Sequence, residues 1–267
     1  MSTVALAARA EPAVRLAGVD MVYPAGGTKI TALQDVNLEV GKGEFVTLIG
    51  PSGCGKSTIL RLVGDILKVS AGRITVGGTS PVEARLNHQY AFVFQEPVLL
   101  PWRNLAQNVA LPLEVARVPR DQHSAITTEL LRRVGLQDFG ERMPQELSGG
   151  MRMRASLARA LTGKPDLLLM DEPFGALDEI TRLEMNEELL RVWEHNRAAV
   201  LFVTHSIDEA VFLSDRVVVL SARPGRIIAD IPISLDRPRD YGRMSETREF
   251  QDSCREVRAA LYGGRQL

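Results

Sequence analysis

The amino-acid sequence predicts an α/β fold, and two observations support this class. A mostly apolar run at 44–49 indicates a buried β-strand. A glycine-rich loop at 50–58 follows it, and an amphipathic helical stretch begins at the end of that loop. Further short apolar runs, each the length of a strand, lie at 166–170, 199–204 and 216–220, with helical stretches between them. Buried strands joined by helices are typical of a sheet that is covered on both faces. We therefore expect an α/β core to which other segments are added.

The N-terminal segments come first. Residues 1–12 are predicted to be a loose tail. Two stretches of β-type alternation follow, at 14–23 and 30–40, and Pro24-Ala25-Gly26-Gly27 separates them. They are expected to form antiparallel strands that flank the glycine loop. Tyr23 ends the first strand, where it can stack on an adenine ring or simply cover the edge of the sheet.

The glycine loop matches the phosphate-binding pattern G-x-x-x-x-G-K-[ST]. Its residues are Gly50, Pro51, Ser52, Gly53, Cys54, Gly55, Lys56, Ser57 and Thr58. The glycines let backbone N–H groups turn towards phosphate oxygens, and the start of the following helix adds a partial positive charge. Lys56 is expected to reach the β- and γ-phosphates, and the Ser57 hydroxyl to ligate Mg²⁺. A strand before the loop and a helix after it make a nucleotide site more probable than a plain glycine turn.

The middle of the chain is predicted to be a mainly helical insertion at about 98–163. It follows a short strand at 73–76 and another at 90–94, which ends at Gln95. Prolines at 97, 101, 112 and 119 argue against a regular strand–helix alternation here. Helical periodicity begins at about Thr127, and a second helix is expected from Ser148 to Leu161.

Polar residues that follow three predicted strands form the next candidate cluster. Asp171 and Glu172 come directly after the apolar run at 166–170, His205 follows the run at 199–204, and Gln95 follows the strand at 90–94. Ligands of open α/β sheets collect at the carboxyl ends of strands, so these side chains are expected to share one crevice with the glycine loop. Asp171 is expected to hold Mg²⁺, and Glu172 to act as the general base on water. His205 can donate to a γ-phosphate oxygen, and Gln95 can contact Mg²⁺ or water, although each can also be a loop residue with backbone partners.

Ser148, Gly149 and Gly150 open a helix and form a second candidate anion site. One bound nucleotide does not need two such helix starts, whereas a nucleotide held between two subunits does. A plain N-cap is the alternative interpretation.

Composition narrows the class of protein. The formal net charge is −1, which gives no indication of a nucleic-acid partner. Two cysteines cannot form a disulfide framework, so a reducing, cytoplasmic setting is expected. No apolar run approaches the ~20 residues of a membrane-spanning helix, and the first residues lack the features of a signal peptide.

Together these motifs resemble the ATP-binding subunit of ABC transporters, from Val14 to about Gly225. The glycine loop matches Walker A, 167–172 Walker B, Gln95 the Q-loop, and 147–151 the signature motif, with Met151 where Gln is most common. Asp178 falls in the D-loop, His205 is the switch histidine, and Tyr23 is the aromatic residue that stacks on adenine.

The resemblance implies a P-loop (RecA-like) core with an antiparallel β subdomain and a helical signalling insertion. The ATPase domain is expected at 13–228 and a C-terminal extension at 229–267. It further implies ATP and Mg²⁺ as cofactors, and a head-to-tail, ATP-dependent homodimer. The dimer would work with transmembrane permease subunits, and indirectly with a substrate-binding protein, at the cytoplasmic face of the inner membrane.

Within this family, 98–105 and 220–227 are similar to the importers of nitrate, aliphatic sulfonates and taurine. Trp102 in the first segment either contacts the membrane subunit or packs beneath the helical insertion. An importer of another small solute, such as a pyrimidine precursor or bicarbonate, is the alternative. A P-loop GTPase is disfavoured because the guanine-reading N/T-K-x-D box is missing, and a non-hydrolysing module is disfavoured because Glu172 and His205 are present.

Overall fold

The computed structural model describes residues 11–25 and 28–263. The strands are β1 Val14–Ala25, β2 Thr28–Val40, β3 Phe45–Ile49, β4 Ala71–Val76, β5 Tyr90–Val93, β6 Leu167–Asp171, β7 Ala199–Val203, β8 Arg216–Leu220 and β9 Ile227–Pro232. The helices are α1 Lys56–Val63, α2 Pro81–Leu86, α3 Leu105–Val115, α4 Arg120–Arg133, α5 Gly149–Thr162, α6 Glu179–Asn196, α7 Ile207–Leu213, α8 Tyr241–Met244 and α9 Arg248–Tyr262. The predicted tail at 1–12 lies outside the described residues except for Glu11 and Pro12, and Pro12 is buried.

A six-stranded sheet forms the core, in the order β5-β6-β7-β3-β8-β9. The first five strands are parallel, and β9 runs antiparallel to β8. The central strands are apolar at nearly every position because both faces of the sheet are covered. Phe45 and Phe202 on one face pack in the core that also contains Trp193 of α6, whereas Leu48 and Leu201 on the other face pack in the core that contains Ile59 of α1.

The predicted antiparallel subdomain is present as a three-stranded sheet in the order β2-β1-β4. Strand β1 pairs with β2 along most of its length, from Val14 opposite Val40 to Ala25 opposite Thr28. Its inward-facing residues, among them Leu16 and Val19, are buried against the face of the large sheet that carries α1. The subdomain therefore lies over the glycine loop, as the alternation of its two strands indicated.

The insertion between β5 and β6 is helical, with two departures from the expected boundaries. Helix α4 begins at Arg120 rather than near Thr127, because its exposed first turns carry little apolar periodicity. Helix α3 runs through Pro112, although proline was expected to interrupt the chain there. The buried Asn108 side chain donates to the backbone oxygens of Leu100, Arg103 and Asn104, and thereby fastens the helix start to the preceding loop.

The residues after Gly225 add a strand and two helices, β9, α8 and α9. Strand β9 runs across residue 228, where the sequence analysis ended the ATPase domain, so the sheet continues into the predicted extension. Helix α9 then packs its buried residues Phe250, Cys254 and Val257 against α7 and β8. Within the described residues, no helix combines the length and apolarity needed to cross a membrane.

Candidate functional site

The glycine loop joins β3 to α1 through a left-handed glycine. Gly55 precedes the helix with a φ of 106°, a left-handed conformation that favours glycine. A Cβ at this position would also lie 2.5 Å from Leu33 Cδ2, so the loop is packed closely against β2. The free N–H groups of the first turn of α1 consequently face the space above the loop, where an anion is stabilised.

Lys56 is buried, and its ammonium group lies inside the loop. Its Nζ donates to the carbonyl oxygens of Gly50 at 2.8 Å and Pro51 at 3.2 Å. An ammonium group has three N–H donors, and the third faces Cys54 Sγ, which lies 3.9 Å from Nζ and is a weak acceptor that an oxygen of a bound phosphate can replace. The loop therefore holds a positive charge at a fixed position beneath the anion site.

Ser57 and Asp171 meet across the sheet although they are far apart in sequence. Ser57 Oγ donates to Asp171 Oδ1 at 2.6 Å. Burial raises the pKa of the Asp171 carboxyl, and the hydrogen bond from Ser57 opposes that shift. Two oxygens of this kind fit Mg²⁺, which binds through one or two protein oxygens together with substrate phosphates and water. Among the described residues, no group of three or more His, Cys, Asp or Glu side chains is arranged to hold a metal ion.

Glu172 and His205 face each other at the ends of neighbouring strands β6 and β7. His205 Nδ1 lies 3.4 Å from Glu172 Oε2, and both side chains are accessible to solvent. Glu172 has a φ of 45°, which is uncommon for a residue other than glycine. Its N–H donates to the oxygen of Val203 at 3.0 Å, so the neighbouring strand holds it in this conformation. The pair presents a carboxylate and an imidazole to the open edge of the sheet.

Gln95 lies at the side of this pair. A Cβ built on Gly175 would be 3.4 Å from Gln95 Nε2 and 3.6 Å from Glu172 Oε2, so both side chains approach the same point. Gln95 follows β5, which is separated from the glycine loop by β6 and β7, and it does not line the cleft above that loop. The structure thus places Gln95 beside Glu172 and away from Lys56.

A cleft of about 530 Å³ collects most of the predicted residues. Its lining includes Tyr23, Gly50, Ser52, Gly53, Gly55, Lys56, Ser57, Thr58, Glu172 and His205. Tyr23 therefore lines the same cleft as the glycine loop. Pro51 and Cys54 belong to the loop but do not line the cleft, and Cys54 is buried beneath it.

The cleft also contains Arg223, which sequence analysis did not select. Its Nε and Nη2 atoms donate to the carbonyl oxygen of Gly53 at 3.3 and 3.1 Å. Its position in the sequence, three residues after the predicted strand at 216–220, could have indicated it. That strand, β8, pairs with β3 on the side opposite to β7, and its carboxyl end lies at the same edge of the sheet as the glycine loop.

Ser148, Gly149, Gly150 and Asp178 do not line this cleft. Ser148 caps α5 by accepting a hydrogen bond from Met151 N at 3.2 Å, and Asp178 caps α6 through Thr181 N at 3.0 Å. The two helix starts adjoin, since a Cβ on Gly150 would lie 3.1 Å from Thr181 Cγ2. Both caps are exposed, so one chain presents the phosphate loop and the Ser148 helix start as separate surfaces.

Comparison with known proteins agrees with this geometry. The protein-family model described as ABC transporter matches residues 33–175. A taurine import ATP-binding protein of Rhizobium johnstonii is 43% identical over 247 residues, which cover 90% of this chain and 93% of the relative. A bicarbonate transport ATP-binding protein of Synechocystis is 43% identical over 234 residues, 85% of this chain and 81% of the relative.

Solved structures give the same result. A dimeric bacterial ABC transporter cassette superposes with a TM-score of 0.74 at 31% identity, covering 84% of this chain and 100% of the other. A post-hydrolysis state of that cassette, bound to ADP and Pi, gives a TM-score of 0.72 at 29% identity with the same coverage. With its phosphate loop, its paired Asp171 and Glu172 and its helical insertion in the corresponding order, this chain belongs to the ABC transporter family, as an ATP-binding subunit with ATPase activity.

Proposed function

We propose that Lys56, Ser57 and Asp171 bind the phosphates and the metal of Mg-ATP. The third N–H of Lys56, which has only the long contact with Cys54 Sγ, would donate to the β- and γ-phosphates, while the glycine loop surrounds them with backbone donors. Ser57 and Asp171 would hold Mg²⁺, which when bound neutralises charge on the phosphates. The hydrogen bond of 2.6 Å between Ser57 Oγ and Asp171 Oδ1 supports this assignment, because it holds two candidate metal ligands next to each other.

Glu172 is the proposed general base and His205 its partner at the γ-phosphate. The carboxylate of Glu172 would take a proton from the water that attacks the γ-phosphorus, and the accessible His205 imidazole would donate a hydrogen bond to a γ-phosphate oxygen as ADP leaves. Their contact at 3.4 Å supports a shared role at one reacting group. Gln95 is placed beside Glu172 and would contact the water or the metal from the side of the helical insertion.

The second half of each site is proposed to come from another copy of the chain. Ser148, Gly149 and Gly150 form a helix start whose exposed N–H groups lie away from the cleft of their own chain. In a head-to-tail dimer, this helix start would face the γ-phosphate held by the partner's loop, with Asp178 at the adjoining interface. The dimeric state of the similar cassette supports such an arrangement.

For the transported solute, we propose a small anion, with taurine, an aliphatic sulfonate or nitrate as the candidates. The single observation that carries this proposal is the taurine import relative, which is similar over 93% of its own length. Bicarbonate is the second candidate, because a bicarbonate transport relative has the same identity over a shorter share of both chains.

The exposed segment that follows Gln95 is the proposed site of contact with the membrane subunits. Val98 is 54% exposed and Trp102 is 71% exposed, so Trp102 does not pack beneath the helical insertion. Tryptophan is enriched in protein interfaces relative to the rest of the protein surface. We therefore propose that this segment contacts the permease subunits. That contact would hold the chain at the cytoplasmic face of the membrane. A substrate-binding protein would take part only indirectly, through the permease.

Growth of a deletion strain tests the solute. Loss of growth on taurine or alkanesulfonates as sole sulfur source, or on nitrate as sole nitrogen source, is the expected result. Restoration by the wild-type gene but not by a gene that encodes Glu172→Gln would attribute the defect to ATP hydrolysis. Normal growth on taurine, alkanesulfonates and nitrate, together with a growth defect at low inorganic carbon, would indicate bicarbonate as the solute instead.

A further inference from the structure

The turn that follows β8 is built tightly against the phosphate loop. A Cβ on Gly225 would lie 2.0 Å from the carbonyl oxygen of Cys54, so no larger residue fits there. Gly225 also exchanges backbone hydrogen bonds with β2: its N–H donates to Ala32 O at 2.9 Å, and its oxygen accepts from Gln34 N at 3.0 Å. The turn at 221–226 is thereby fixed between β2 and the phosphate loop.

The turn also has its own internal support. Ser221 Oγ donates to Pro224 O at 2.9 Å and accepts from Arg226 N at 3.0 Å. Arg226 then points away from the cleft, because its Nη2 donates to Gln34 Oε1 at 2.6 Å. Arg223, at the tip of the same turn, is left to extend over the phosphate loop.

Arg223 places a guanidinium group in the nucleotide cleft. Two of its five N–H donors are directed to Gly53 O, so others are free to meet a ligand. Across residues 11–25 and 28–263, no carboxylate oxygen lies within 4.0 Å of this guanidinium. Lys56 and Arg223 are the two Lys or Arg side chains in the described lining of the cleft, and Lys56 is buried inside the loop whereas Arg223 is exposed above it.

We propose that Arg223 is a nucleotide-binding residue, which donates to a phosphate oxygen of the bound nucleotide from the outer side of the phosphate loop. An arginine without a carboxylate partner, beside backbone donors that are aimed at an anion, gains a charge-assisted hydrogen bond when that anion binds. Its contact with Gly53 O keeps the guanidinium in place before binding, so little side-chain freedom is lost. The proposal depends on the nucleotide site and not on the identity of the solute.

The test is the affinity of purified variants for ADP and ATP, measured by titration calorimetry. Arg223→Gln keeps an N–H donor near Gly53 O but removes the charge, and we expect about tenfold weaker binding of both nucleotides. Arg223→Lys keeps the charge and should lie nearer to wild type. Arg226→Gln is the matched control, since it lies in the same turn and outside the cleft, and it should bind as wild type does.

Ionic strength separates a phosphate contact from a structural role. If Arg223 acts through its charge, the affinity difference between wild type and Arg223→Gln should shrink between about 0.05 and about 0.5 M salt. Wild-type affinity in Arg223→Gln would overturn the proposal. Equal weakening in the Gln and Lys variants, with a lowered melting temperature and no response to salt, would also overturn it, because the turn would then only support the loop.

Discussion

Glu172 follows the metal-binding candidate Asp171 by a single residue, and the structure gives the two carboxylates different surroundings. Asp171 is buried and hydrogen-bonded to Ser57, whereas Glu172 is partly exposed and faces His205. Burial raises the pKa of Asp171, and a metal cation in contact with it would favour its charged form again. These different surroundings suit the separate roles proposed for the two acids, Asp171 at the metal and Glu172 at the attacking water.

The Glu172→Gln substitution tests the role of the base. The amide keeps the shape of the side chain but cannot take a proton, so hydrolysis should fall by about 10²–10⁴-fold in a phosphate-release assay. Binding of ATP should survive, because Lys56, Ser57 and Asp171 are unchanged. Loss of a negative charge beside the γ-phosphate should also favour an ATP-dependent dimer in size-exclusion chromatography.

Asp171→Asn is the matched control for that experiment. It removes the neighbouring carboxylate and should weaken Mg²⁺ binding, and with it the ATP-dependent dimer. Hydrolysis near the wild-type rate in Glu172→Gln would remove this residue from the mechanism and leave the base unassigned.

At the scale of elements, the C-terminal helix α9 is the main addition to what the sequence analysis expected. Phe250, Cys254 and Val257 recur at a spacing that puts them on one helical face, so the 3.6-residue period was present in the sequence but was not recognised among the charged residues around it. Tyr241 stacks edge-on between Phe212 of α7 and Phe250, with ring centroids at 5.3 and 6.0 Å.

A second contact fastens the extension to the element that follows His205. Arg239 is buried and donates to Phe212 O at 2.8 Å and Ser214 O at 2.9 Å, which are carbonyls at the end of α7. Burial lowers the pKa of Arg239 to about 10, so the group remains charged at neutral pH. The extension therefore stabilises α7 by capping it as well as by apolar packing.

We predict that Phe250→Ala destabilises the ATPase domain by about 3–5 kcal/mol in denaturant unfolding, since the ring is fully buried. Tyr262→Ala on the same helix is the matched control; the residue is 52% exposed, and the effect of its substitution should stay within about 0.5 kcal/mol. Equally small effects of both substitutions would mean that α9 folds separately from the sheet and contributes nothing to its stability.

At the scale of the whole molecule, the two helix starts that were predicted to bind anions, those of α1 and α5, lie apart in a single chain. The phosphate loop opens into the cleft, whereas the Ser148 helix start is exposed elsewhere. A complete site therefore requires a second chain if Ser148 acts on the nucleotide. This arrangement would couple hydrolysis to closure of the dimer, because neither chain alone would surround the γ-phosphate.

Mixing two inactive variants tests the shared site. Lys56→Ala should abolish tight ATP binding by its own loop, and Ser148→Arg should block the opposite half of the site in its partner. Heterodimers of the two would contain one intact and one doubly damaged site, so some ATP hydrolysis should return on mixing.

Ser80→Arg is the control for that mixture. Ser80 is also an exposed N-cap, which accepts a hydrogen bond from Glu83 N at 3.3 Å, but it lies in another part of the fold. It should leave hydrolysis unchanged. A Ser148→Arg homodimer that hydrolyses ATP at the wild-type rate would contradict the shared site.

The phosphate loop could be predicted from sequence alone because its structure is local. A strand, nine contiguous residues with glycines at the required positions, and a helix start are all encoded within about 20 residues, and their hydrogen bonds form among neighbours. The same is true of the caps at Ser148 and Asp178. Periodicity likewise predicted most core strands and the helical insertion, and the resemblance to ABC transporter subunits implied the separate antiparallel subdomain.

Only the tertiary structure decided which distant groups meet. The strand order puts β7 between β3 and β6, and so brings His205 and Glu172 to the cleft, while the strand before Gln95, β5, is separated from β3 by two strands. Arg223 reaches Gly53 across 170 residues of sequence because β8 is the other neighbour of β3. Such contacts depend on which strands pair, and pairing is determined by packing over the whole sheet rather than by any one segment.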